Sequence, residues 1–170
     1  GQYQAAMLEK FENVNIRTGV KVKEIKDSQI ITSAGNFPFN YLIGADGSNS
    51  IVRRHLGLET KRCIGMYYEI PGITADVIWH FNPEEIMTGY IWAFPHLDNT
   101  NMGVFFNPKH LSPKVAKKAL HDYLDAREIN YSECKYQTAA ISHHYDGCEF
   151  GNTFLVGDAA GLALRTNGAG

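Results

Sequence analysis

Residues 41–54 read YLIGADGSNSIVRR, and residues 154–161 read FLVGDAAG. Each stretch runs from a short apolar strand, through a small-residue turn that carries an aspartate, to the start of a helix. We predict that the strand from Tyr41 to Ala45 is buried on both faces and that Ser48 or Asn49 caps the helix after it. Such turns present free backbone N–H groups at the carboxyl end of a strand, where open α/β sheets bind anionic ligands.

Local packing offers a second explanation for both turns. Asp46 can accept hydrogen bonds from the amides of its own turn, because Asp-Gly is a common turn sequence in any case. Ala159 and Ala160 can begin a helix that needs small side chains to lie close to a sheet. Two such turns that flank a different kind of sequence are stronger evidence for a ligand site than one turn alone.

The chain between about residues 61 and 142 is rich in aromatic and β-branched residues. The runs CIGMYYEI, DVIWHF, GYIWAFP and NMGVFF predict four strands, and Ser112-Pro113 predicts the start of a covering helix. Before this region, short alternating runs around a turn at Ser33 to Asn36 predict a small antiparallel meander. We therefore predict an α/β fold, α+β overall, in which residues 1–60 and 148–170 form one domain and residues 61–147 form an inserted antiparallel sheet.

Tyr90, Trp92 and Phe94 alternate along one predicted strand and so share one face of it. Three aromatic side chains on one face can line a deep apolar slot, or they can pack a core. Tyr67, Tyr68 and His80 are further candidates for a pocket, but each fits an ordinary strand position equally well. No residue is assigned as a general acid or base.

Composition limits the classes of function. The 170 residues carry a formal charge of −2 with interspersed signs, which gives no footprint for nucleic acid. Cys63, Cys134 and Cys148 have no CxxC spacing, so we expect free thiols in a reducing, cytoplasmic compartment and no metal site. No 18-residue apolar run and no signal peptide is visible. The chain does not begin with Met and stops at Gly170 in a glycine-rich stretch, so we expect a fragment.

In this order and at these separations, the turns and the aromatic strand resemble a superfamily of flavoproteins. It includes the geranylgeranyl reductases and the aromatic-ring hydroxylases of the para-hydroxybenzoate hydroxylase type. Gly44-Ala45-Asp46-Gly47 with Ser50 and Arg53 is similar to its second FAD motif, and the stretch from Phe154 to Gly161 is similar to its third. The Tyr-x-Trp-x-Phe-Pro run from Tyr90 to Pro95 resembles the substrate-domain signature of geranylgeranyl reductases.

The resemblance, which spans residues 3–170, implies an FAD-dependent oxidoreductase that acts on an apolar, isoprenoid substrate. The two outer segments would then be an FAD-binding Rossmann-like domain, and residues 61–147 a substrate-binding domain. Contacts to FAD would come from Asp46, Gly47, Arg53, Gly157, Asp158, Ala159, Gly161, Gly168 and Gly170. Contacts to the substrate would come from Tyr90, Trp92, Phe94 and Pro95. NAD(P)H is one candidate electron donor, and peripheral contact with membrane lipid is a further expectation.

Several departures from the family pattern leave the substrate open. The family's N-terminal Gly-x-Gly-x-x-Gly motif is absent, so we expect these residues alone to bind FAD poorly. His96 stands where geranylgeranyl reductases carry Lys, and Gly161 stands where hydroxylases often carry His. The loop from Leu164 to Gly170 lacks the usual Pro, and Ala169 replaces an acidic or amide residue. The alternatives are a flavin-dependent monooxygenase and a non-catalytic electron-transfer flavoprotein or binding module.

Overall fold

The computed structural model describes residue 7 and residues 10–72, 74, 76–166 and 168. The chain divides into two compact units, Gly1–Asn40 and Tyr41–Gly170. The first unit holds an antiparallel meander of strands β1 (Val22–Lys26), β2 (Gln29–Thr32) and β3 (Gly35–Pro38). Asp27 and Ser28, both with positive φ, form the two-residue turn between β1 and β2, as tight hairpins require.

The described residues of the second unit form two sheets, three α-helices and two short 3₁₀ turns. In chain order its strands are β4 (Leu42–Gly44), β5 (Arg62–Pro71), β6 (Ile78–His80), β7 (Tyr90–Pro95), β8 (Asn99–Phe106), β9 (Lys135–Ser142), β10 (Glu149–Phe150) and β11 (Thr153–Leu155). The α-helices are α1 (Ile51–His55), α2 (Pro83–Ile86) and α3 (Pro113–Asp125). None of the described helices is both long and apolar enough to cross a bilayer. The mixed architecture with antiparallel sheets confirms the predicted fold class.

The larger sheet is antiparallel, with strand order β6-β7-β8-β5-β9. Its first and last strands in the chain, β5 and β9, are neighbours, and Arg62 at the start of β5 pairs with Ser142 at the end of β9. The chain therefore enters and leaves this sheet at neighbouring positions. The four aromatic runs form β5 to β8, whereas β9 was not predicted.

Helix α3 covers one face of this sheet. Ser112 accepts a hydrogen bond from the backbone N–H of Val115, and Pro113 occupies the first turn, as the sequence predicts. Ala116, Leu120 and Leu124 are fully buried against sheet residues such as Met66 and Val104. This apolar layer is the main core, and it leaves the opposite face of the sheet for other contacts.

The smaller sheet has the order β10-β11-β4, and its β11 and β4 run parallel. Leu155 pairs with Gly44, so both strands end at the same edge. The strand from Tyr41 to Ala45 is not buried on both faces, which corrects that prediction: Tyr41 is 73% exposed and Ile43 is 64% exposed. The described residues cover only the face that carries Leu42 and Gly44. The extent of the predicted domains, residues 1–60 with 148–170 and residues 61–147, stays a prediction.

Candidate functional site at the ends of two parallel strands

The turn after β4 is shaped by Asp46. Its Oδ2 accepts hydrogen bonds from the backbone N–H groups of Ile51 at 2.7 Å and Val52 at 3.4 Å. The side chain of Ser50 accepts from the N–H of Arg53 and caps α1. The cap is therefore Ser50 and not Ser48 or Asn49, because a 3₁₀ turn over Gly47–Asn49 comes first. Asp46 serves the amides of its own turn, as the packing explanation proposed.

Ser48 joins this turn to the turn after β11. Its hydroxyl donates a 2.7 Å hydrogen bond to Oδ2 of Asp158 and accepts one from the backbone N–H of Ser142 at 3.1 Å. The Oγ of Ser142 is buried and has no hydrogen-bond partner in the described part of the chain. The two aspartate turns and the end of β9 thus meet in one polar junction that contains an unsatisfied hydroxyl.

Gly47 and Gly157 give this edge room for a ligand. Both have positive φ, of 71° and 56°, and the space where a Cβ atom would stand is open at each. Glycine in a turn allows the atoms of a ligand to approach the backbone closely. The open backbone at Gly47 and Gly157, with the Asp158 carboxylate between the two turns, fits the ribityl and pyrophosphate part of a dinucleotide.

Arg53 has a structural role in the described part of the chain, and its predicted contact to a cofactor stays a prediction. Its side chain is 1% exposed, and it donates hydrogen bonds to the carbonyl oxygens of Glu59, His144 and Ala159 and to the carboxylate of Asp146. The guanidinium therefore joins three chain segments inside the protein. No side-chain donor of Arg53 is left facing the open edge.

Two further residues that were predicted to contact the cofactor, Ala159 and Gly161, pack against the protein interior. Ala159 is fully buried, and a Cβ atom at Gly161 would lie 2.1 Å from the carbonyl oxygen of His144. Gly161 is needed because the backbone of His144 crosses it so closely. The predicted cofactor contacts at Ala159 and Gly161 stay predictions, and no α-helix follows Ala160 in the described residues.

The aromatic side chains of β7 lie on the sheet face opposite α3. Tyr90 and Trp92 are buried there with Cys63 and Phe105, and Phe94 packs against them. The Trp92 indole lies against the backbone of Gly103, so closely that a Cβ atom at this glycine would be only 2.5 Å from the ring. The indole N–H donates to Oδ1 of Asn101 at 2.9 Å. The result is a broad aromatic floor, which we call the aromatic face.

Burial changes the acidity of the groups on the aromatic face. It raises the pKa of Tyr90 to about 12, with a smaller contribution from the nearby Cys63. Burial also raises the pKa of the Cys63 thiol, while the positive charge of Arg165 opposes that shift. Tyr90 and Cys63 therefore keep their protons at neutral pH.

Gly168, in the loop from Leu164 to Gly170 that we call the glycine loop, lies against the aromatic face. A Cβ atom at Gly168 would lie 2.6 Å from Cδ1 of Ile141 and 3.8 Å from the Phe105 ring. Gly170 lies outside the described residues, so its predicted contact has no structural counterpart here. Pro95 ends β7 beside the hairpin that carries His96. The roles of Tyr90, Trp92, Phe94 and Pro95 toward a substrate stay predictions.

The three further pocket candidates separate between the two faces. Tyr67 stands beside Trp92, with ring centroids 6.2 Å apart, and so belongs to the aromatic face. Tyr68 and His80 are on the α3 side, where Tyr68 is hydrogen-bonded to His121 and the His80 ring lies tilted against Tyr123 with centroids 5.0 Å apart. Sequence reasoning missed Ser48 as a junction residue and Gly103 as the seat of Trp92. A glycine inside a strand beside an aromatic strand is the signal that could have identified Gly103.

Comparison with known proteins shows which proteins this chain resembles in sequence. No family model matches the chain. An uncharacterised protein of Methanosarcina barkeri is 31% identical over 164 residues, which cover 89% of this chain and 42% of that protein. A digeranylgeranylglycerophospholipid reductase of Methanothermobacter thermautotrophicus is 26% identical over 138 residues, which cover 76% of this chain and 36% of the reductase. This chain is similar in sequence to the geranylgeranyl reductase-like family of flavoproteins. It spans about two fifths of the length of the curated relatives it matches.

Solved structures share the fold of this chain. A geranylgeranyl bacteriochlorophyll reductase-like protein of Thermoplasma acidophilum matches with a TM-score of 0.61 and 19% identity, over 86% of this chain and 40% of that one. A probable FAD-dependent monooxygenase of Pseudomonas aeruginosa matches with a TM-score of 0.62 and 15% identity, over 94% of this chain and 51% of that one. The fold is therefore common to flavoproteins with different reactions.

Proposed function

We propose that this chain contributes to an FAD-dependent oxidoreductase and holds FAD at the edge where β4 and β11 end. The observation that carries the proposal is the Ser48–Asp158 hydrogen bond between two turns with open glycines. Asp158 would accept hydrogen bonds from ribityl hydroxyls, and the backbone at Gly47 and Gly157 would face the pyrophosphate. When bound, the flavin supplies the redox chemistry by accepting or donating a hydride.

The chain's own residues would orient an apolar substrate. Tyr90, Trp92 and Phe94 form a rigid aromatic floor, and the glycine loop at Gly168 approaches it at Phe105 and Ile141. Such a floor excludes water and recognises apolar surface without requiring a charged group. An isoprenoid chain is the substrate class that we propose, in agreement with the name of the reductase relatives. NAD(P)H as donor, a cytoplasmic location and peripheral contact with membrane lipid belong to the same proposal.

Titration of the full-length protein with FAD, followed by flavin fluorescence, tests the cofactor site. We expect Asp158→Asn to weaken FAD binding about tenfold or more, because a charge-assisted hydrogen bond to the flavin is lost. Asp98→Asn changes an exposed carboxylate in the β7–β8 hairpin and is the matched control. Equal affinity in the two variants, or no flavin binding by the unaltered protein, would contradict the proposal.

A flavin-dependent monooxygenase is the second candidate, since a probable enzyme of that kind shares the fold over 94% of this chain. Oxygen consumption by the reduced protein separates the two reactions. A reductase should transfer hydride to an isoprenoid double bond without consuming oxygen in proportion to product. Hydroxylated product formed in proportion to oxygen consumed would favour the monooxygenase.

A further inference from the structure

A cleft of about 130 Å³ lies where the larger sheet meets the loop after β11. Six of its lining residues are basic, and they come from four segments of the chain: Lys61, Arg62, Lys109, His110, His143 and Arg165. Among the described residues that line it, none is acidic. We call it the basic cleft. So many like charges around a concave surface create a positive potential that favours an anion.

Among the described residues, Lys61 is the one cation of the basic cleft that makes an ion pair, with Glu59 at 3.4 Å. Arg53 is paired with Asp146, and Lys118 is paired with Asp122. In contrast, Lys109 and Arg165 make no ion pair within the part of the chain that the structure describes. Arg62 donates through Nε to the carbonyl oxygen of Ser48, which orients its guanidinium.

The pKa of His143 responds to the positive charges around the basic cleft. Burial lowers the pKa of its imidazole, and the positive charges of Arg165, His144 and Lys61 add to that shift, while a backbone hydrogen bond opposes it. The imidazole is thus close enough to these cations to be repelled by them. An anion placed among them would reverse the repulsion and raise the pKa of His143.

The basic cleft adjoins an apolar cavity. The two share Asn107 and Arg165, and the second cavity, of about 270 Å³, is lined by Cys63, Phe105 and Thr88. Cys63 and Phe105 are part of the aromatic face. A ligand with an anionic end and an apolar body would fit this pair of cavities.

We infer that the basic cleft binds a phosphate-bearing anion, held by Arg165, Lys109 and Arg62. Guanidinium and ammonium groups are the side chains that bind phosphate oxygens most strongly, and the cleft has room for a few atoms only. The adjoining cavity would take the apolar part of the ligand, and this clause alone rests on the proposed function. The phosphate can belong to free pyrophosphate, to a prenyl headgroup or to a nucleotide.

Binding of inorganic pyrophosphate to the full-length protein at low ionic strength tests the inference. We expect binding to raise the pKa of His143, measured by NMR of its imidazole and assigned with His143→Gln. Arg165→Gln and Lys109→Gln should each weaken binding about tenfold, since each removes one charge-assisted contact. Lys114→Gln, an exposed lysine of α3, is the matched control and should leave the affinity unchanged.

Further ligands identify the source of the phosphate. Farnesyl pyrophosphate that binds more tightly than pyrophosphate supports a prenyl headgroup with its tail in the apolar cavity. Displacement of pyrophosphate by NADPH supports a nucleotide phosphate. Absence of pyrophosphate binding, or equal weakening by Lys114→Gln, overturns the inference while FAD binding can remain intact. Displacement by FAD, with loss of FAD affinity in Arg165→Gln and Lys109→Gln, also overturns it, because the cleft then belongs to the flavin site.

Discussion

The hydroxyl of Ser48 and the carboxylate of Asp158, which are 110 residues apart in the chain, are joined by a hydrogen bond of 2.7 Å. This bond fixes the turn after β4 against the turn after β11. Because Ser48 also accepts from the N–H of Ser142, one hydroxyl connects both turns to the end of the larger sheet. The proposed cofactor edge is therefore held by a contact that no local sequence pattern encodes.

Substitution Ser48→Ala should destabilise the protein by about 1–3 kcal/mol, because the N–H of Ser142 loses its acceptor and Asp158 loses its donor. Urea unfolding measures the free energy. Ser132→Ala is the matched control, since Ser132 donates its hydroxyl bond only to Asn130 in an exposed turn. A loss no larger than that of the control would mean that the junction is not held by Ser48.

Substitution Arg53→Met should cost about 3–5 kcal/mol of stability, because it leaves Asp146 and buried carbonyl oxygens without their donor. Arg54→Met, one position along the same helix, is exposed and should cost less than about 0.5 kcal/mol. Adding Asp146→Asn to Arg53→Met should recover part of the loss, because it removes a half-buried carboxylate that has lost its guanidinium partner and keeps only His144 beside it. Thermal or urea unfolding that gives equal losses for the two arginines would contradict the assigned role.

Substitution Gly103→Ala should displace the Trp92 indole and strain the pairing with β5, because the new Cβ atom would lie 2.5 Å from both the Trp92 ring and the carbonyl oxygen of Met66. Overpacking of this kind costs about 1–3 kcal/mol. Tryptophan fluorescence in a Trp79→Phe background reports Trp92 alone, since the chain has two tryptophans. Ala139→Ser, at an exposed position of the same sheet, is the control. An unchanged emission maximum in Gly103→Ala would show that the indole does not depend on this glycine.

Stability should depend on Tyr90 at alkaline pH. Its pKa is about 12 in the folded protein and about 10 in an unfolded chain, so ionisation favours unfolding. Its contribution is complete below pH 10 and is lost as the pH rises towards 12. Tyr90→Phe should therefore lose less stability over this interval than the unaltered protein, by urea unfolding. Tyr41→Phe, which changes an exposed ring, should follow the unaltered protein; a Tyr90→Phe variant that does so too would contradict the prediction.

Local signals were sufficient for the elements that carry strong patterns. Ser112 and Pro113 mark the start of α3, and the aromatic runs mark β5 to β8, because caps and alternating side chains act within a few residues. Strand β9 was missed since KYQTAAIS carries few large apolar residues, and it is an edge strand with much of its surface exposed. Its place is set by pairing with β5, which is distant in the chain.

The candidate site was predictable only where backbone conformation requires a residue type. Gly47 and Gly157 stand in turns with positive φ, which glycine adopts most readily. Arg53 and Gly161 carry the same motif resemblance, yet both face the protein. Their environment depends on His144 and Asp146, more than 90 residues from Arg53 in the chain, so sequence spacing could not show it.

The pairing of Arg62 with Ser142 has a consequence for how such proteins diversify. The chain enters the five-stranded sheet at Arg62 and leaves it at Ser142, and these two residues are neighbours. The sheet therefore resembles an insertion whose length and number of strands can vary while its attachment points stay fixed. In evolution, the whole five-stranded sheet could be exchanged without disturbing the parallel strands β4 and β11. Chimaeras joined at Lys61 and His143 would test whether this sheet carries the proposed substrate preference.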